Sequence, residues 1–218
     1  MLTLALQTAD PSLWADLEPD IEQWFTTPEV QVLPWGRLYR DTQPVVDGIL
    51  QRAIALVQAH HGVKLVLDST LNLENQPSAN PETRQPAPAP NALALAEQVL
   101  NSPVAQTLNL VITQHVFWQL AHAGRYDLRL VAQLTPPQPQ PKPSERISLF
   151  EVFNGEPAAQ RVKKQETKTQ FEQALFLYFL GFYAEAECLF ADCLTLNPQD
   201  AVAAHYVECC HSAGVAND

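Results

Sequence analysis

The chain has 218 residues, 46% hydrophobic and 17% charged, enough for one domain plus an appendage around a proper core. Its formal net charge of −11 argues against nucleic acid, whose phosphates need clustered Lys and Arg, and against an anionic membrane surface. The longest apolar run is far short of a membrane span, and the opening MLTLALQTADP lacks a basic n-region, so no membrane insertion and a cytoplasmic location are expected.

Residues 2–6 read as a strand. Ser12 is a plausible N-cap for a helix through Trp24 and Phe25, with Leu13, Leu17 and Ile21 at helical spacing. The acids Asp10, Asp16, Glu18, Asp20, Glu22 and Glu29 all precede the first base, Arg37. They read as a solvated helix face or, more sharply, a docking surface for a basic partner. Residues 30–39 suit a hairpin interrupted by Pro34-Trp35-Gly36, and Trp35 in that turn is a partner-binding candidate. A second helix spans 45–60 with the stripe Val46, Ile49, Leu50, Ala53, Leu56 and Val57. Gly62 breaks it, and 63–67 is a buried β-rich run.

Two segments, 75–91 and 135–145, carry five prolines each and read as extended loops. Between them the alternation resumes: helix 92–100, strand 108–113, helix 114–123 and strand 126–134. Residues 147–153 form the last strand. This order suggests an α+β layer, one sheet covered mainly on one side. Trp14, Trp24 and Trp118 are assigned to the core, and His115 and His122 are too isolated to suggest a site.

The tail begins after Asn154-Gly155. Residues 167–198 match the spacing of one tetratricopeptide (TPR) unit, with Ala174, Gly181, Tyr183, Ala186, Phe190 and Pro198 at its small or aromatic positions. Residues 201–210 make a third, capping helix. The first tail helix is apolar almost all round, so it must be covered on several sides. Its surplus aromatics Phe171, Phe176, Phe179 and Phe182 are expected at a protein–protein contact. Arg161, Lys164 and Lys168 share one face, which reads as solvated or as a patch for an acidic surface. Cys188, Cys193, Cys209 and Cys210 form no Cys-x-x-Cys pair and read as reduced thiols.

The second half resembles bacterial class III adenylate/guanylate cyclases. ALALAEQVLN is similar to that family's V-N-x-A-x-R-L helix, LVITQHVFWQL to its I-L-I-S-x-x-T-x-x-x-L segment, and YDLRLVAQL with ISLFEVFNG to its final strands. The resemblance implies a ferredoxin-like cyclase-homology domain over 1–153 and a TPR-like helical tail over 154–218. It also implies where catalytic groups would stand, and they are missing. Gln7-Thr8 replaces the first metal carboxylate, with Asp10 displaced, and no acid lies between Glu29 and Asp41 where the second belongs. The transition-state Asn position holds Ala92 or Ala94, and the Arg position Ala96 or Gln98. The resemblance therefore implies a non-catalytic regulatory or scaffolding protein with no cofactor, binding a protein partner or pairing as a homodimer. The alternative is a small-ligand sensor with a pocket near Gln7, Thr8, Arg37 and Asn91. Residual cyclase activity ranks third.

Overall fold

A computed structural model describes residues 2–8, 10–22, 24, 29–33, 36–41, 46–60, 62–69, 92–135 and 146–215. Trp35, Asn91 and nearly all of both proline segments lie outside the described residues.

β1 (Leu2–Thr8) sends Leu2, Leu4 and Leu6 to one face and Thr3 and Ala5 to the other, and all five are buried. A 3-10 turn (Pro11–Leu13) then leads into α1 (Trp14–Glu22). The cap is Asp10 rather than Ser12: its Oδ1 accepts from the Ser12 amide at 2.9 Å and the Ser12 hydroxyl at 2.7 Å. A carboxylate here also places negative charge at the positive end of the helix, which a hydroxyl does not. The helix stops at Glu22, and Trp24 follows in a turn.

β2 (Glu29–Leu33) and β3 (Gly36–Asp41) form the expected hairpin, paired from Glu29–Arg40 to Leu33–Gly36. α2 (Val46–Ala59) buries the six-residue stripe read from the sequence, and Gly62 supplies the left-handed φ of +81° that turns the chain into β4 (Val63–Ser69). After α3 (Ala92–Leu100) and the short α4 (Pro103–Gln106) come β5 (Leu110–Thr113), the one-turn α5 (Gln114–Phe117), β6 (Leu128–Leu134) and β7 (Ile147–Val152). The tail is α6 (Ala158–Phe179), α7 (Tyr183–Leu196) and α8 (Ala201–Val215).

The fold is α+β. One mixed seven-stranded sheet runs β2-β3-β1-β4-β5-β7-β6, antiparallel throughout except for the β4–β5 pair. The parallel pair needs the long crossover that α3 and α4 supply.

Helices cover both faces, not mainly one. On the first face Leu4, Leu6, Leu65, Leu67 and Ile112 pack with Leu17 and Ile21 of α1 and with the α2 stripe. On the second, Ala5, Val66, Val111 and Leu149 share a core with Leu95 and Val99 of α3 and with Phe171, Ala174, Phe190 and Tyr206 of the tail. The physical reason is the apolar load of the tail, which finds its cover on the sheet. Among the described residues, no helix is long and apolar enough to cross a membrane.

Candidate interaction surface

The tail is fastened to the sheet by buried charge. One row crosses the second face: Ala5, Val66, Val111, Glu151 and Arg129 are successive register partners. Three members are apolar and two are charged. Arg129 in β6 is fully buried, with Nε 2.5 Å from Oε2 of Glu151 in β7. Its Nη1 and Nη2 meet both oxygens of Asp200 at 2.5 and 2.9 Å, a fork-on-fork pair. Asp200 also caps α8, accepting from the Ala203 amide at 3.2 Å.

Lys164 of α6 completes the cluster, 2.5 Å from Oε1 of Glu151 and hydrogen-bonded to Glu156. The Phe171 ring lies against the Arg129 guanidinium, 4.2 Å from Cζ to ring centroid. Two cations thus meet three carboxylates across β6, β7, α6 and the start of α8.

Electrostatics follow from burial and pairing. Burial alone pulls the Arg129 pKa down, but the charge of Glu151 and the contacts of Asp200 outweigh it and hold the guanidinium charged. Burial raises the Glu151 carboxyl, yet Arg129 and Lys164 carry it below the usual value. Asp200 is lowered in the same way by Arg129. Glu156 goes the other way: burial pushes it up more than Lys164 draws it down. A carboxyl that protonates more readily suits a cluster with one acid in excess.

Two more contacts finish the seam. The Tyr206 hydroxyl donates to the Val131 carbonyl at 2.7 Å, and Oε1 of Glu172 accepts from the Leu130 amide at 3.0 Å. The second covers an amide on the sheet's edge strand, beside its bulge.

This arrangement corrects part of the expected contact surface. Phe171 is 0% exposed, in edge contact with Phe190 and Tyr206, so it cannot meet a partner. Lys164 is buried because Glu151 needs a cation. Arg161 is half-exposed and turned onto Asp127, with Nε 2.8 Å from Oδ2. Lys168 is half-buried, and Phe179 is half-buried against Tyr178.

Phe176 and Phe182 do face outward, 61% and 52% exposed, and Leu180 joins them at 55%. Phe176 lies in the last turn of α6, and Leu180, its C-cap, follows one helical turn on. The Phe182 amide donates to the Leu177 carbonyl at 3.0 Å, and Gly181 makes the turn with φ of +85°. The three side chains therefore gather where α6 turns into α7. The Arg-Lys face read from the sequence is not among them.

Other residues read differently in place. Trp118 is 65% exposed rather than core, because α5 ends after a single turn and releases it. His115 is not isolated. Its Nδ1 lies 3.1 Å from Oδ1 of the buried Asp68, which also accepts from the Thr113 hydroxyl at 2.6 Å. Ser69 pairs with Gln119. Of the ligand-sensor residues, Thr8 bonds to the Asp10 backbone, and Arg37 stacks on Trp14 and reaches Glu18 at 3.5 Å. Gln98, a candidate for the transition-state Arg position, bonds the Thr135 carbonyl.

All four cysteines are free. Burial pushes the thiols of Cys193 and Cys210 up to about 11, which keeps them protonated near neutral pH. Among the described residues, no three His, Cys, Asp or Glu side chains gather as metal ligands would. Comparison with known proteins gives no match to a family model, a curated protein or a solved structure.

Proposed function

We propose that the protein is a non-catalytic interaction module, a degenerate cyclase-like sheet whose TPR-like tail docks on another protein. The observation that carries this reading is the apolar tip formed by Phe176, Leu180 and Phe182. Aromatic anchors grouped on a rigid support are what interface hot spots are made of. Here the support is a helix pinned to the sheet by the Arg129 cluster.

The cyclase-like part is supported by the order β2-β3-β1-β4, with α1 and α2 as its two crossing helices, which is the arrangement of a ferredoxin-like unit. The TPR-like part is supported by Ala174 and Ala186, both fully buried between α6 and α7, and by Phe190 beside them. A 22-residue first helix is a departure from that pattern. The loss of catalysis is supported by the sequence, where Gln7-Thr8 stands at the first metal-carboxylate position and no acid lies between Glu29 and Asp41.

The test uses the intact chain and its Phe176→Asp/Leu180→Asp variant in sedimentation and in affinity capture from native extract. The wild type is expected to dimerise or retain a discrete partner, and the variant to lose that while keeping its circular dichroism. Identical behaviour of the two proteins would overturn the reading. Cyclic nucleotide formation from ATP or GTP with manganese is expected at background. Turnover that disappears in Asp10→Asn would overturn the non-catalytic part.

A further inference from the structure

A shallow surface depression of about 300 Å³ lies where the head meets the start of the tail, bordered by Gln51, Gln58, Arg125, Tyr126, Asn154 and Arg161. That volume is at the small end of ligand sites. The Gln58, Asn154 and Tyr126 donors are engaged within the protein, which leaves the two arginines to meet a ligand. The acids near it are already engaged: Asp127 by Arg161 and Asn154, and Asp47 by the Tyr126 hydroxyl at 3.0 Å and the Ala121 amide at 3.0 Å.

The Arg161 contacts to Asp127 use Nε and Nη2 and leave Nη1. The Arg125 guanidinium makes no ion pair among the described residues. Two arginines from separate segments therefore border one depression, Arg125 with its guanidinium and Arg161 with Nη1. Planar guanidinium forks match the paired oxygens of phosphate and carboxylate.

We propose that this depression binds the oxyanion head of a small ligand, phosphate- or carboxylate-bearing, between Arg125 and Arg161. The chain's net charge of −11 repels anions at long range, so recognition rests on short-range fork geometry and the ligand must be small. Asn154 ties the site to the tail hinge: its side chain bonds Asp127, and its carbonyl accepts from Gln58 at 3.1 Å. Occupancy would brace the start of α6 against α2. This site does not depend on the apolar tip, so either proposal can fail alone.

The experiment follows the arginine Nε–H signals of the full chain during titration with inorganic phosphate and, separately, with citrate. Saturable shifts of Arg125 and Arg161 are expected, with a dissociation constant on the order of 1 mM. Arg125→Ala should weaken binding about tenfold or more, and Arg125→Lys should recover only part of it. Arg146→Ala, an exposed control just before β7, should change nothing. Saturation by phosphate alone identifies a phosphate ligand, and by citrate alone a carboxylate. Shifts that do not saturate with either anion, or that persist unchanged in Arg125→Ala, overturn the proposal.

Discussion

The two faces of the sheet are closed by different chemistry. On the face that meets α1 and α2, leucine, isoleucine and valine pack against their own kind. On the face that meets the tail, an apolar core surrounds a cluster of five charged side chains. The difference teaches what each device supplies. Apolar contact scales with buried area and tolerates repacking. A buried guanidinium with fixed partners tolerates almost none, because a shift of the tail would strand a charge without water. The first face supplies stability in a forgiving way, and the second also specifies how the tail is seated.

Breaking the second face should cost most. Arg129→Met leaves Asp200 without its cation and Glu151 with Lys164 alone, and is expected to lower unfolding free energy by about 3–5 kcal/mol in urea titration. Leu4→Ala on the first face removes a fully buried side chain and is expected to cost about 2–5 kcal/mol as a cavity. The contrast sharpens in where the loss falls. Limited proteolysis should cut the tail first in Arg129→Met and show no such preference in Leu4→Ala.

Acid probes the same cluster. Glu151 and Asp200 titrate lower folded than unfolded, so their contribution is full above the unfolded carboxylate range, about pH 4, and is lost as pH falls toward the folded values. Glu156 titrates higher folded, so its contribution is present at low pH and is lost as pH rises through its folded value. Two lowered groups against one raised group predict a net loss of stability in acid. Urea titrations at about pH 3 and pH 7 should show a larger loss for wild type than for Arg129→Met, where the larger of the two lowering charges is gone and that of Lys164 remains.

The smallest expected effect is at the seam's neutral contact. Tyr206→Phe removes one hydrogen bond to the Val131 carbonyl and should cost about 1 kcal/mol, with no change in tail proteolysis.

What was legible in the sequence follows the same divide. The α2 stripe, its break at Gly62, the hairpin and the β4 run were legible because each is a local pattern of apolar spacing or glycine. The second face was not. In LRLVAQL and ISLFEV, period-two alternation puts Arg129 and Glu151 on the face opposite Leu128 and Val152, and a one-sided sheet sends that face to water. Their burial is decided by helices that return later in the chain, Lys164 onto Glu151 and Asp200 onto Arg129, a distance no strand period encodes. The same blindness spoiled the contact surface. Phe171 and Lys164 look surplus on a lone helix, and both are spent on Arg129 and Glu151. One signal was there to be read: a lone base in one late strand and a lone acid in the next, both inside apolar runs. Trp118 failed for a different reason, since nothing in QHVFWQL marks where the helix stops.

Amide hydrogen exchange across α6–α8 and β6–β7, in wild type and in Arg129→Met, tests the seating of the tail most directly. If the cluster locks tail to sheet, the most protected amides of both regions open at one common free energy in the wild type, and the α7 and α8 amides drop well below the β4 and β5 amides in the variant. A wild-type tail that already opens independently of β6 and β7, or a variant whose tail keeps its protection, would contradict the account.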